Sequence, residues 1–219
     1  MRHIRRNERG QLTIGGQIAV DLAERFGTPL YVYSGDGLVA NYAAFASAVS
    51  ELDCVVHYAV KANSSLGVLG LLAQQGAGAD IVSGGEMKRA LIAGIAPDKI
   101  VFSGVGKTDD EIRAALQAGI AQINAESATE LRHISQIAAE TKQQAAVALR
   151  VNVNVDPGSH AKISTGQRST KFGIPVADGE AAMLYRQLCS DPNLVPRGLA
   201  VHIGSQLRKL DPFECAYQE

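Results

Sequence analysis

His57-Tyr58-Ala59-Val60-Lys61-Ala62-Asn63 closes an apolar run that begins at Cys54 and sets one lysine where a buried strand reaches the end of its sheet. Burial disfavours an ammonium, so a lysine in such a place either extends its charge to solvent or serves as an amine. Carrying a carbonyl compound as a Schiff base is one use of that kind. The flanking chain has to decide between the two.

Runs that read as buried strands recur at 55–59, 79–82, 100–102, 121–123, 146–151 and 199–203, separated by helical patterns at 66–75, 84–93, 109–117, 127–141 and 177–189. Ser127-Ala128-Thr129-Glu130 has the form of a capping box at the head of the fourth of these helices. The first four strand centres lie about 22 residues apart, the pace of consecutive βα units joined by right-handed crossovers. This α/β pattern predicts a (β/α) TIM-type barrel, with a doubly wound open sheet as the alternative. Residues 1–30 read as a lead-in containing a helix over 17–26 that Gly27-Thr28-Pro29 stops, and residues 31–219 as the barrel domain. That domain opens with a strand over 30–33 and a helix over 34–50 capped by Ser34. Six barrel strands fall two short of closure, and an unclosed barrel leaves strand edges unpaired. The expectation is therefore a truncated barrel, the N-terminal piece of a longer protein.

Bulk composition narrows the function classes. With 219 residues, 46% hydrophobic, 20% charged and a net charge of -1, the chain has no polycationic signal for nucleic acid or a membrane surface, and small molecules are the expected partners. Cys54, Cys189 and Cys215 are far apart and odd in number, so neither a disulfide framework nor a zinc site is indicated. His3, His57 and His133 show no metal-ligand spacing. No apolar h-region follows the arginine-rich start and no apolar run approaches membrane length, so a cytoplasmic protein is expected.

In a barrel the working groups sit where strands end. Here those positions carry Lys61, then Asp80 with Glu86, then Ser103-Gly104-Val105-Gly106-Lys107, then Asn124 and Glu126, then Arg150, and finally His202-Ile203-Gly204-Ser205-Gln206. Each has a plain structural alternative. Asp80 and Glu86 are equally the residues that charge a helix N-terminus, the glycine turns are weak phosphate signals, and a lone histidine is commonly packed and hydrogen-bonded. A convergent set is more specific than any member.

The set resembles the alanine-racemase-like barrel decarboxylases that use pyridoxal 5'-phosphate (PLP). The 57–63 stretch and His202-Ile203-Gly204-Ser205-Gln206 carry that resemblance. His160-Ala161-Lys162-Ile163-Ser164-Thr165-Gly166, closing with Lys171-Phe172-Gly173, is similar to the diaminopimelate decarboxylases among them, as are Pro29-Leu30-Tyr31-Val32-Tyr33 and 103–107. The resemblance implies that Lys61 bonds covalently to PLP and is the catalytic residue, that His202 stacks on the pyridine ring, and that Ser205 helps hold the phosphate. It also implies that Asp80 and Glu86 belong to the cofactor surround and that Arg150 lies near the ring. The implied reaction is decarboxylation of meso-2,6-diaminopimelate to L-lysine, in a homodimer when full-length. The family's later phosphate-binding segment, its acidic partner for the pyridine nitrogen and its C-terminal β domain have no counterpart in these residues, so the chain alone is expected to be inactive. Related decarboxylases of arginine, ornithine or carboxynorspermidine, a non-catalytic PLP-carrying barrel and a sugar-phosphate barrel stay open as alternatives.

Overall fold

A computed structural model describes residues 3–155, 172–205 and 207–219. Most of the loop that carries the finer resemblance, 160–171, and Gln206 lie outside the described residues. The chain begins with three short antiparallel strands, β1 (Ile4–Arg6), β2 (Leu12–Ile14) and β3 (Gln17–Ile18), followed by α1 (Ala19–Phe26) and α2 (Gly35–Ala48). A repeating unit then takes over: β4 (His57–Ala59), α3 (Leu66–Gln74), β5 (Gly78–Ile81), α4 (Gly84–Ile92), β6 (Ile100–Phe102), α5 (Asp109–Ala118), β7 (Gln122–Ala125), α6 (Ala128–Thr141) and β8 (Ala145–Asn152). Beyond it come β9 (Ile174–Pro175), α7 (Glu180–Ser190), β10 (Leu194–Val201) and α8 (Asp211–Gln218).

The main sheet is parallel and runs β10-β8-β7-β6-β5-β4, with β9 paired to the end of β8. Neighbours in space are neighbours in sequence and the order never reverses. A doubly wound sheet needs a reversal at its switch point, so the arrangement is the singly wound arc of a (β/α) barrel. Among the described residues the arc has six strands, as the apolar runs predict, with β9 beside it.

Strand parity sorts the side chains. Ala79, Ile81, Ile100, Phe102, Ile123, Ala125, Val147 and Leu149 point outward and are buried to 1% exposure or less. They form one continuous core with Met87, Ala90, Ile112, Ala115, Leu131, Ile134, Ile137, Ala138, Leu184 and Leu188 from α4 to α7. The alternate residues, Asp80, Val101, Ser103, Asn124 and Arg150, line the concave side. Core burial therefore lies between sheet and helices, and at about 25 cal/mol per Å² of apolar area it is the dominant favourable contribution.

Local signals place the helix ends that aim the site. Thr108 and Glu111 make a full capping box at the start of α5, and Gly119 ends that helix in the left-handed region at φ 68°. The Glu111 carboxylate also accepts Gly84 N–H at 2.6 Å, tying α5 to the head of α4. These backbone donors hold the Glu111 carboxyl below its usual range.

Several expectations are corrected. The 30–33 segment joins no ladder, and Tyr31 is 86% exposed. A strand exists only where a neighbour accepts its backbone hydrogen bonds, and no described strand lies beside it. The run at 55–59 pairs only over 57–59, and the last strand starts at Leu194 rather than 199, passing a register shift between Pro196 and Gly198. Both are edge strands of the described sheet, which leaves Val55 and Leu199 exposed rather than fully buried. At α6, Ser127 does accept Glu130 N–H, but the Glu130 carboxylate reaches Glu126 N–H at 2.7 Å instead of closing a capping box.

Phe102 sits at the centre of the outward core with no exposed surface. Replacing it with Ala is expected to cost about 3–5 kcal/mol of unfolding free energy, read from urea denaturation, through lost transfer energy and the cavity left behind.

Candidate active site

The concave face of the arc holds a cleft of about 540 Å³ whose wall includes Lys61, Asp80, Ser103, Asn124, Arg150, Phe172, His202 and Ser205. Five of the six expected site residues thus converge on one space. Glu86 does not line it: its carboxylate accepts Val82 N–H at 2.8 Å while its own N–H donates to Ser83 Oγ. That is the geometry of a helix start.

Lys61 stands on a single 3-10 turn, Val60–Ala62, that leaves the end of β4. Val60 is fully buried and anchors the turn, whereas Lys61 is exposed on the cleft wall. Of the two uses left open for it, a charge carried to solvent or a working amine, the exposure permits either, and the edge position of β4 explains it. Asp80 lies opposite Ala59 in the ladder, one residue pair below Lys61 on the inner face.

Arg150 is buried at 8% exposure, and its compensation is visible. One guanidinium nitrogen donates to both carboxylate oxygens of Glu126 at 2.8 Å, and the Phe172 ring lies 5.1 Å from the guanidinium carbon. Glu126, 7% exposed, also accepts Gly104 N–H at 3.0 Å. Two charges removed from water are tolerable only with such pairing, because desolvating either one unpaired costs several kcal/mol. Lys107 braces the same corner. Its ammonium, on a side chain with no exposed surface, donates to Gly104 O, Asn124 O and the Glu130 carboxylate at 2.6, 2.8 and 2.9 Å.

His202 follows β10 and is half-buried. Its pKa is lowered to about 4, first by burial and then by the positive charges of Lys61 and Arg150, with Glu126 opposing them. At neutral pH the ring carries no charge. Ser205 is exposed at the rim of the cleft.

Ser103, Asn124 and Phe172 also belong to this wall, and Lys107 and Glu126 support it; of these, Ser103, Lys107, Asn124 and Glu126 were among the strand-end positions, without a specific role. Period-two register agrees with that placement, since Ser103 and Asn124 fall on the inner parity of β6 and β7. His57, at the start of β4, closes the lower end of the cleft, and its Nε2 has no partner among the described residues. Among the described residues no group of acidic, histidine or cysteine side chains could hold a metal ion.

Residues 36–219 match the pyridoxal-binding domain of the pyridoxal-dependent decarboxylases, and the chain belongs to that family. Among its members, diaminopimelate decarboxylase of Pseudomonas fluorescens is 51% identical over 205 residues, which is 93% of this chain and 49% of that protein. The crystal structure of diaminopimelate decarboxylase from M. jannaschi superposes with a TM-score of 0.90 at 39% identity, covering 97% of this chain and 50% of that one. The Helicobacter pylori enzyme, solved in complex with L-lysine, gives a TM-score of 0.87 at 40% identity, covering 91% of this chain and 50% of that one. The chain spans about half the length of the curated relatives it matches.

Glu126→Gln removes the carboxylate that neutralises Arg150 and is expected to cost about 3–5 kcal/mol in chemical denaturation. The same change at Glu140, which pairs with Arg113 on the surface, should leave the midpoint unchanged. For His202 the sign follows from its depressed value. Between pH about 6.5, the ordinary histidine value, and about 4, the unfolded chain takes up a proton that the folded chain refuses. Stability contributed by neutral His202 is therefore lost as pH falls through that window. His202→Phe should flatten the slope of unfolding free energy against pH there and leave it unchanged above pH 7.

Proposed function

We propose that this chain is the cofactor-binding half of a PLP-dependent carboxy-lyase that converts meso-2,6-diaminopimelate to L-lysine and CO2. The observation that carries the reading is the convergence of Lys61, Arg150 and an uncharged His202 on one cleft at the carboxyl ends of parallel strands. Sequence identity of about half with diaminopimelate decarboxylases over nearly the whole chain supports the substrate.

The residues present fit PLP. Lys61 offers a primary amine on the cleft wall, reachable from the interior, and would hold the aldehyde carbon of the cofactor covalently. His202 would lie against the ring, and its lack of charge at neutral pH lets a flat aromatic surface pack without a third cation beside Lys61 and Arg150. Arg150, fixed by Glu126 and Phe172, would lie near the ring, and Ser205 at the rim would hold the phosphate. Asp80 supplies an acceptor at the level below Lys61. When bound, PLP supplies the electron sink that takes up the electron pair of the breaking carbon–carbon bond. The protein's own contribution is placement and charge, because desolvated, preorganised groups act without reorganising during the reaction.

Residues 31–219 are read as the PLP-binding unit and 1–30 as its lead-in, within a protein that is homodimeric at full length. Three free cysteines support a reducing, cytoplasmic setting.

Adding PLP to the purified chain should produce an absorbance band distinct from that of the free cofactor, and Lys61→Ala should lose it. Borohydride reduction followed by peptide mass mapping should place the label on Lys61. Labelling of another lysine would overturn the assignment. Residues 1–219 alone should release no CO2 from diaminopimelate; brisk turnover by this chain would contradict its reading as half of a site.

A further inference from the structure

Asp80 on β5, Ser103 directly after β6 and Asn124 on β7 stand side by side, and all three line the cleft. Ser103 Oγ lies 2.6 Å from Asp80 Oδ1, Asn124 Nδ2 lies 3.0 Å from Ser103 Oγ, and Gln122 Nε2 lies 2.8 Å from Asn124 Oδ1. The proton order in this row is determined from its end. A carboxylate only accepts, so the single hydroxyl proton of Ser103 goes to Asp80. Ser103 can then only accept from its other neighbour, which sets the nitrogen of the Asn124 amide towards it. The amide oxygen is left to accept from Gln122, and Gln122 thereby locks the amide against turning over.

Asn124 is 6% exposed, so this arrangement is not one that water readily replaces. One oxygen of Asp80 is committed to Ser103, and among the described residues no donor reaches the other, which faces the cleft. Glu86, the second acid near β5, is occupied at the helix start.

We propose that Ser103 and Asn124 are positioning residues that hold Asp80 as an acceptor with its second oxygen presented to a hydrogen-bond donor on the cofactor. The proposal rests on the PLP reading above. Hydrogen bonds to charged groups are the strong ones, and a carboxylate left to rotate loses the directed contact. Ser103→Ala removes the donor to Asp80. Asn124→Asp keeps the shape but replaces the donor to Ser103 with an acceptor, drawing the hydroxyl proton away from Asp80.

The test is PLP affinity of the full 219-residue chain by absorbance titration, together with the Asn124 side-chain amide signals in nitrogen-15 spectra of the ligand-free protein. Asp80→Ala, Ser103→Ala and Asn124→Asp should each weaken PLP binding by about tenfold. Ser103→Thr, which keeps the hydroxyl, should bind like wild type, and Gln122→Ala should give a smaller loss in the same direction. In wild type the Asn124 amide protons should exchange slowly with solvent, and Ser103→Ala should speed that exchange. Wild-type affinity in both Ser103→Ala and Asn124→Asp, alongside a loss in Asp80→Ala, would overturn the positioning role while leaving the PLP reading intact. A wild-type chain that takes up no PLP would overturn the cofactor reading and the role together. Should Ser103→Ala or Asn124→Asp fail to fold, an equal loss of affinity in Ser103→Thr and Ser103→Ala or, if only Asn124→Asp folds, unchanged affinity in it would count against the proposal.

Discussion

A parallel strand in a barrel presents every second residue to the helices and the others to the interior, and the rest of this molecule depends on that division. On the outward side the division demands large apolar residues. Ile81, Phe102, Ile123 and Leu149 meet it and weld the sheet to α4, α5, α6 and α7. On the inward side it permits small and polar ones, and Ala59, Ser103, Asn124 and Ala200 leave a space between the strands instead of filling it. Stability and the cleft thus come from alternate residues of the same short strands.

Polar groups on the inward side must find partners, and their solutions organise the site. Arg150 and Glu126 neutralise each other, and Gly104 N–H completes the carboxylate's shell. Lys107 then fastens that loop to α6 through Glu130, which in turn holds Glu126 N–H. The net effect is a wall whose charged groups are held by backbone amides and carbonyls from two successive βα junctions, those of β6 and β7. Such a wall has little freedom to rearrange when a ligand arrives, which suits a cofactor whose chemistry depends on orientation. The low pKa of His202 is a by-product of the same crowding, since burial beside two cations leaves no room for a third.

The first fifty residues obey a different rule. Neither α1 nor α2 has a buried residue, and Phe26, Tyr31, Tyr33 and Phe45 are all more than half exposed. Apolar surface of this extent is what an interface would cover. No described element packs over it.

The sequence by itself determined the βα repeat, the six parallel strands and Lys61 and His202 as strand-end residues, because hydrophobic periodicity and helix caps are local and the two motifs are contiguous. It also pointed to Asp80, Arg150 and Ser205. Only the tertiary structure decided which acid near β5 faces the cleft. Asp80 and Glu86 have the same chemistry in the sequence, and they part because one follows inner strand parity and the other folds back on the backbone of Val82. Ser103, Asn124 and Lys107 stood out in the sequence only as strand-end positions; their partners became visible in the same way, through contacts made across 17 to 23 residues of chain. The 30–33 segment shows the converse. Its apolar, β-branched and aromatic composition suits a strand, but a strand is a relation between two segments, and no described neighbour supplies the second.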